Sequence, residues 1–189
     1  MSEYIRKSKT DRIEAFHLFL TGAIQKRQRY ALAEALDRMD FFTAPASTKY
    51  HGSHEGGLFD HSLDVGKNLL LLTDKLGLKW QKPRSPRLVG LLHDLCKHDQ
   101  YGQRADGSYY FRTNLALIGH GDKSVILAQR VLHEVGLSMT EEEIMCIRWH
   151  MGAYDDSKTW TNLGEAIGLF PNVLYTHTAD MMASRIHNK

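Results

Sequence analysis

Apolar positions recur every three to four residues over most of this chain, the period of helices that bury one face. Over residues 11–39 good helix formers predominate, with Phe16, Leu20, Ile24, Leu32 and Leu36 on a loose stripe and Gly22 as a break. One long helix or two short ones are predicted. Residues 41–57 collect proline, serine, threonine and three glycines and read as a loop. Leu58, His61, Val65, Leu69, Leu72 and Leu76 then keep helical spacing, which sets His61 on a buried stripe. Ser85 and Pro86 suit the cap and first residue of a helix reaching about His98, with Leu88, Leu91, Leu92 and Leu95 on its apolar side.

Gly102, Asp106 and Gly107 are turn residues and 109–112 an extended stretch, so a small hairpin is expected near residues 101–112. A further amphipathic helix runs from about His120 to Val135 and stops at Gly136. Thr140 followed by Glu143 is a capping box for a helix through Ile144 and Ile147 to His150, with Gly152 as its stop. A short helix is expected over 162–168, and Pro171 opens the last one, which carries Asp180 and ends near His187. No alternation of strands and helices appears, so the class is all-α. Residues 1–45 are expected to form an N-terminal helical segment packed on a domain of residues 46–189.

Composition narrows this picture slightly. At 189 residues, 42% apolar and 24% charged, the chain has the size and balance of one globular domain. A net charge of +2 is too small to indicate a nucleic-acid or membrane surface. The polar start and the lack of a run near the about 18 apolar residues of a span point the same way. Cys96 and Cys146 fall in apolar helical patterns and read as reduced core residues, not as a disulfide or thiolate site, with a reducing cytoplasm the simplest home. The unusual feature is eleven histidines.

Their positions carry the chemistry. His93 and Asp94 sit between leucines, a poor place for a carboxylate unless a cation compensates it. Lys97 follows three residues after Asp94 on the same helical face. Two readings stand: an Asp94–Lys97 salt bridge beside a satisfied core histidine, or a metal site with a lysine for an anionic substrate. His61 has the same pair of readings. Asp180, among Ala179, Met181, Met182 and Ala183, also calls for a partner.

The segments HEGGLFDHSLDVG (54–66), LLHDLCKH (91–98) and THTADMMAS (176–184) together resemble the HD-domain metal-dependent phosphohydrolase superfamily over roughly residues 52–184. The resemblance implies an HD-type helical bundle with His61, His93, Asp94 and Asp180 as metal ligands and Lys97 as a phosphate contact. His120 in LIGHGDKS and His150 in IRWHMG match additional ligands of two-metal members; otherwise His120 is a polar helix start and His150 a C-terminal cap. In a two-metal site Asp94 would bridge ions about 3.5–4 Å apart. Such nitrogen and oxygen donors suit one or two ions of Fe, Mn, Co, Ni or Zn.

The implied activity is hydrolysis of a small phosphoester, a nucleotide foremost, with Asp94 and Lys97 as catalytic residues. His54 and Gly57 lie where a substrate would approach, although the glycines also simply turn the loop. Lys123, with Arg148 and Arg185, is either a phosphate clamp or a solvated charge. Long RNA is a weaker expectation, because exoribonucleases with a similar HD module carry a further OB-type domain. Two other activities fit the same ligand order: oxygen activation, as in diiron proteins similar to myo-inositol oxygenase, and nucleotide-binding regulation with little turnover. His17, His51, His98, His133, His177 and His187 receive no role.

Overall fold

Gly22, at φ 78°, turns the chain between two helices, α1 (Lys9–Phe19) and α2 (Lys26–Asp37), so the first helical stretch is double. This computed structural model describes residues 7–49 and 52–186; His51, His187 and the expected end of the last helix lie outside them. Ser8 and Asp11 form a reciprocal capping box at the start of α1. The long α3 (Gly57–Leu76) follows the loop and ends at left-handed Gly77. Next come α4 (Ser85–Leu92), a hairpin of β1 (Tyr101–Gln103) and β2 (Tyr109–Phe111), and four more helices: α5 (Gly121–Glu134), α6 (Glu141–Arg148), α7 (Trp160–Leu169) and α8 (Asn172–Met181). The strands pair antiparallel, Gly102 opposite Tyr110, as the turn residues predict. The fold is all-α with this small sheet appended.

One expectation fails in an informative way. The helix predicted to reach His98 stops at Leu92. Asp94 has left the helical region (φ −107°, ψ 19°), and Leu95–Asp99 continue as a 3-10 turn. Ser85 is the first helical residue and not the cap; its Oγ donates to buried Glu143 Oε1 at 2.8 Å. Glu143 also completes the predicted capping box with Thr140, so one carboxylate ties the starts of α4 and α6 together. Its neighbour Glu142 accepts from Asn172 Nδ2 at 2.8 Å, which joins α6 to the start of α8.

The core sits among α2, α3, α4, α5, α6 and α8, with Leu36, Phe59, Leu69, Leu91, Val131 and Ile147 fully or almost fully buried. Phe16, Leu32 and Leu36 from the first 45 residues belong to that same core. Arg12, 3% exposed, reaches from α1 to the Glu55 carbonyl (2.7 Å) and the Asp60 carboxylate (3.1 Å). Helices α3 and α4 cross on glycine: a Cβ on Gly90 would lie 2.3 Å from Gly66 Cα. That contact lets the two backbones approach, and it sets His61 beside the end of α4. Among the described residues no helix is long and apolar enough to cross a membrane.

Candidate metal centre

Five helices bring six polar residues to one place in this core. α3 supplies His61, the unwound end of α4 supplies His93 and Asp94, and α8 supplies Asp180. His150 follows the C-terminus of α6, and His120 caps the start of α5. Loss of helical geometry at Asp94 turns two sequence neighbours, which on a helix diverge by about 100°, toward the same centre. His93 and His150 are fully buried, and His61, Asp94 and Asp180 are at most 6% exposed.

Asp94 is the hub. Its Oδ2 lies 3.4 Å from His93 Nε2 and 3.5 Å from His61 Nε2, while its Oδ1 lies 3.4 Å from His150 Nε2 and 3.9 Å from His120 Nδ1. Asp180 Oδ1 stands 3.2 Å from His61 Nε2 and accepts a hydrogen bond from Ser184 Oγ at 3.0 Å. The ring centroids of His61 and His93 are 5.2 Å apart, and those of His93 and His150 4.9 Å. All six expected ligands therefore converge, with His120 on the outer, Oδ1 side.

The histidine tautomers follow from their partners. His93 Nδ1 is 2.9 Å from the Gly90 carbonyl and His150 Nδ1 is 2.7 Å from the Ile147 carbonyl. A carbonyl only accepts, so each Nδ1 carries a proton and each ring turns its Nε2, the atom left for a metal, inward. His93 Nε2, His150 Nε2 and Asp94 Oδ1 are buried and make no hydrogen bond among the described residues. Polar atoms in that condition are costly. Donor atoms of His61, His93 and Asp94 lie within 4.8 Å of one another, as do those of His93, His150 and Asp180. Two ligands on one ion at 2.0–2.3 Å are at most about 4.6 Å apart, so the donor set fits a cation with small adjustments.

Charge is already arranged for that role. Burial pushes the Asp94 carboxyl up, but the Lys97 ammonium and His93 hold it well below the ordinary carboxylate range. Burial opposes ionisation of Asp180 as well, yet the His61 hydrogen bond and charge keep it low. His93 has burial working against its proton and the Asp94 carboxylate outweighing it, so its pKa is raised. Burial lowers that of His120. The centre thus holds two ionised carboxylates, the metal-ready form.

Lys97 Nζ lies 2.6 Å from Asp94 Oδ2, so the salt bridge foreseen as the plain alternative is present, inside the centre and not on the surface. Three expected substrate contacts are engaged elsewhere. Lys123 is 3% exposed and holds Asp99 at 2.5 Å, which makes it a buried structural cation and not a free clamp. Gly57 lacks a side chain because Gly52 is there: a Cβ would meet the Gly52 carbonyl oxygen at 2.0 Å. His54 is 3.3 Å from Asp60, the same carboxylate that Arg12 holds. Arg148 is paired with Asp122 and Asp155, and Arg185 is exposed.

Other residues at the centre escape sequence reasoning. His177 Nδ1–H donates to the His150 carbonyl at 2.8 Å and fixes the backbone beneath that ring. Cys96, read as core filling, is indeed buried, but its Sγ is 3.3 Å from His120 Nδ1. Burial pushes its thiol up to about 12. Ser184 was missed too, and its place four residues after Asp180, on the same helical face, was the signal available for it. Comparison with protein-family models, with curated proteins and with solved structures found no match for this chain.

Proposed function

We propose that this protein is a metal-dependent phosphohydrolase acting on a small phosphoester, with a nucleotide as the expected substrate. The observation that carries the reading is the meeting of His61, His93, Asp94 and Asp180, distant in sequence, in one buried cluster where His93 Nε2 and Asp94 Oδ1 make no hydrogen bond among the described residues. The ordered motifs that resemble HD-domain hydrolases support hydrolysis as the chemistry. A divalent ion held there would polarise a phosphoryl oxygen and lower the pKa of a coordinated water.

The chain's own groups prepare the site for that chemistry. The Gly90 and Ile147 carbonyls hold His93 and His150 as Nε2 donors, and Ser184 orients Asp180. Lys97 keeps an ammonium against Asp94, where an anionic phosphoryl group drawn to the centre meets positive charge. A cavity of about 300 Å³ adjoins Cys96 and is lined by Arg112, Leu115, Leu117 and Ile118. Its size and mixture of cationic and apolar walls suit a nucleotide-sized molecule better than a polymer.

The test is elemental analysis of the purified protein together with a phosphoester panel that includes nucleoside mono- and triphosphates. Wild type is expected to carry a transition metal and to release phosphate or alcohol from at least one class. Asp94→Ala is expected to lose both metal and turnover. Turnover with zinc, or with manganese without oxygen, is the result hydrolysis requires; strict dependence on oxygen and a redox metal would overturn it.

A further inference from the structure

We propose that Cys96 is a metal ligand, acting with Asp94 and His120 at a second position on the outer side of the centre, and that its sulfur makes this position selective for thiophilic divalent ions. The proposal rests on the reading of the cluster as a metal centre and adds a donor and a selectivity to it.

Asp94, Cys96 and His120 offer one donor atom each, all within 4.8 Å of one another, and none of these atoms belongs to the His61, His93 and Asp180 side except through Asp94. Cys96 Sγ and His120 Nδ1 are 3.3 Å apart, a separation that two ligands of one ion can adopt. The third member supplies an independent sign of a missing partner. Asp94 Oδ1 is buried, makes no hydrogen bond among the described residues, and is the oxygen on the His120 side.

The backbone holds the arrangement. Cys96 follows Asp94 by two residues on the 3-10 turn that replaces the end of α4, so unwinding presents both side chains to one region. The Cys96 N–H donates to Ser124 Oγ at 3.1 Å, which fastens this turn to α5 just beyond His120. The cavity of about 300 Å³ is lined in part by Cys96 and Gly119, so this corner of the group borders open space. Cys146 makes a useful contrast, being equally buried yet in none of the donor groups.

The chemistry of the donors sets the selectivity. The His61, His93 and Asp180 side presents only nitrogen and oxygen, donors that manganese and iron also accept. One thiolate with one imidazole and a carboxylate shifts preference toward zinc or cobalt and away from manganese or magnesium. The two positions are therefore unequal, and mixed-metal loading is the expected state.

The experiment titrates the metal-stripped full chain with cobalt(II), then zinc(II), and follows absorbance and bound metal per chain. Wild type should take up two ions, with strong near-ultraviolet thiolate-to-cobalt absorption appearing with one of them. Cys96→Ser should lose that absorption and bind the corresponding ion about tenfold or more weakly, while keeping the other ion. Cys146→Ser should match wild type. Cobalt uptake by wild type without sulfur absorption, or an unchanged spectrum in Cys96→Ser, overturns Cys96 ligation and leaves the metal centre standing. No cobalt or zinc uptake by wild type overturns both. If Cys96→Ser does not fold, the wild-type and Cys146→Ser spectra decide the matter.

Discussion

Asp60 is charged because of what surrounds it. Burial raises its pKa, but hydrogen bonds from His54 and Arg12 and the charges of Arg12 and Lys7 hold it below the ordinary value of 3.8. A carboxylate whose folded pKa is depressed stabilises the protein fully above its unfolded pKa and loses that contribution as pH falls through the folded one. Asp60→Asn should therefore cost about 1–2 kcal/mol near neutral pH, and the difference in melting temperature should close as pH drops below 3.8. Thermal melts of both proteins across an acid series check this. At the centre, Lys97 offers a different kind of test, because it donates charge without being a metal donor. Lys97→Gln should leave metal content near wild type and lower kcat about 100-fold; equal loss of metal would mean that its role is to hold Asp94.

Among the elements, the α3–α4 crossing is where packing and chemistry meet. Gly90→Ala drives a methyl into Gly66 Cα, and backbone cannot yield as a side chain tip can. We expect destabilisation of about 1–3 kcal/mol in urea unfolding, with weaker metal binding because His61 rides on α3 while His93 and Asp94 follow α4. Helix existence was legible throughout, down to the break at Gly22 and the Thr140–Glu143 capping box, since periodicity and caps are local signals. The end of α4 was not. Leucines on both sides of the His93–Asp94 pair continue the helical stripe, and only the tertiary demand to point two adjacent side chains inward unwinds it. The six residues that meet at the centre could be read in order along the chain, whereas the engagement of Lys123 with Asp99 and of Gly57 with Gly52 arises from contacts across distant segments. Cys96 is free and buried as its apolar run predicts, but its contact with His120 was not legible, as a buried thiol has the same sequence signature whether or not a histidine faces it.

For the whole molecule, the centre lies where α3, α4, α5, α6 and α8 all converge, so filling it should stabilise the entire fold. Ligand present at 100 times its dissociation constant adds about 2.7 kcal/mol to stability. Chelation should thus lower the melting temperature by several degrees, and readdition of zinc should restore it; a melting curve indifferent to metal would separate the centre from folding. The helices before residue 45 share their core with the rest of the chain. Phe16, Leu32 and Leu36 belong to the common core, and Arg12 is enclosed between α1 and the turn that opens α3. A chain trimmed to residues 46–189 would leave that turn without its guanidinium keystone, and a hollow where the aromatic ring of Phe16 had been. His61 on α3 would then hang from an unbraced hinge, which makes the N-terminal helices, remote from the cluster, a condition for assembling it at all.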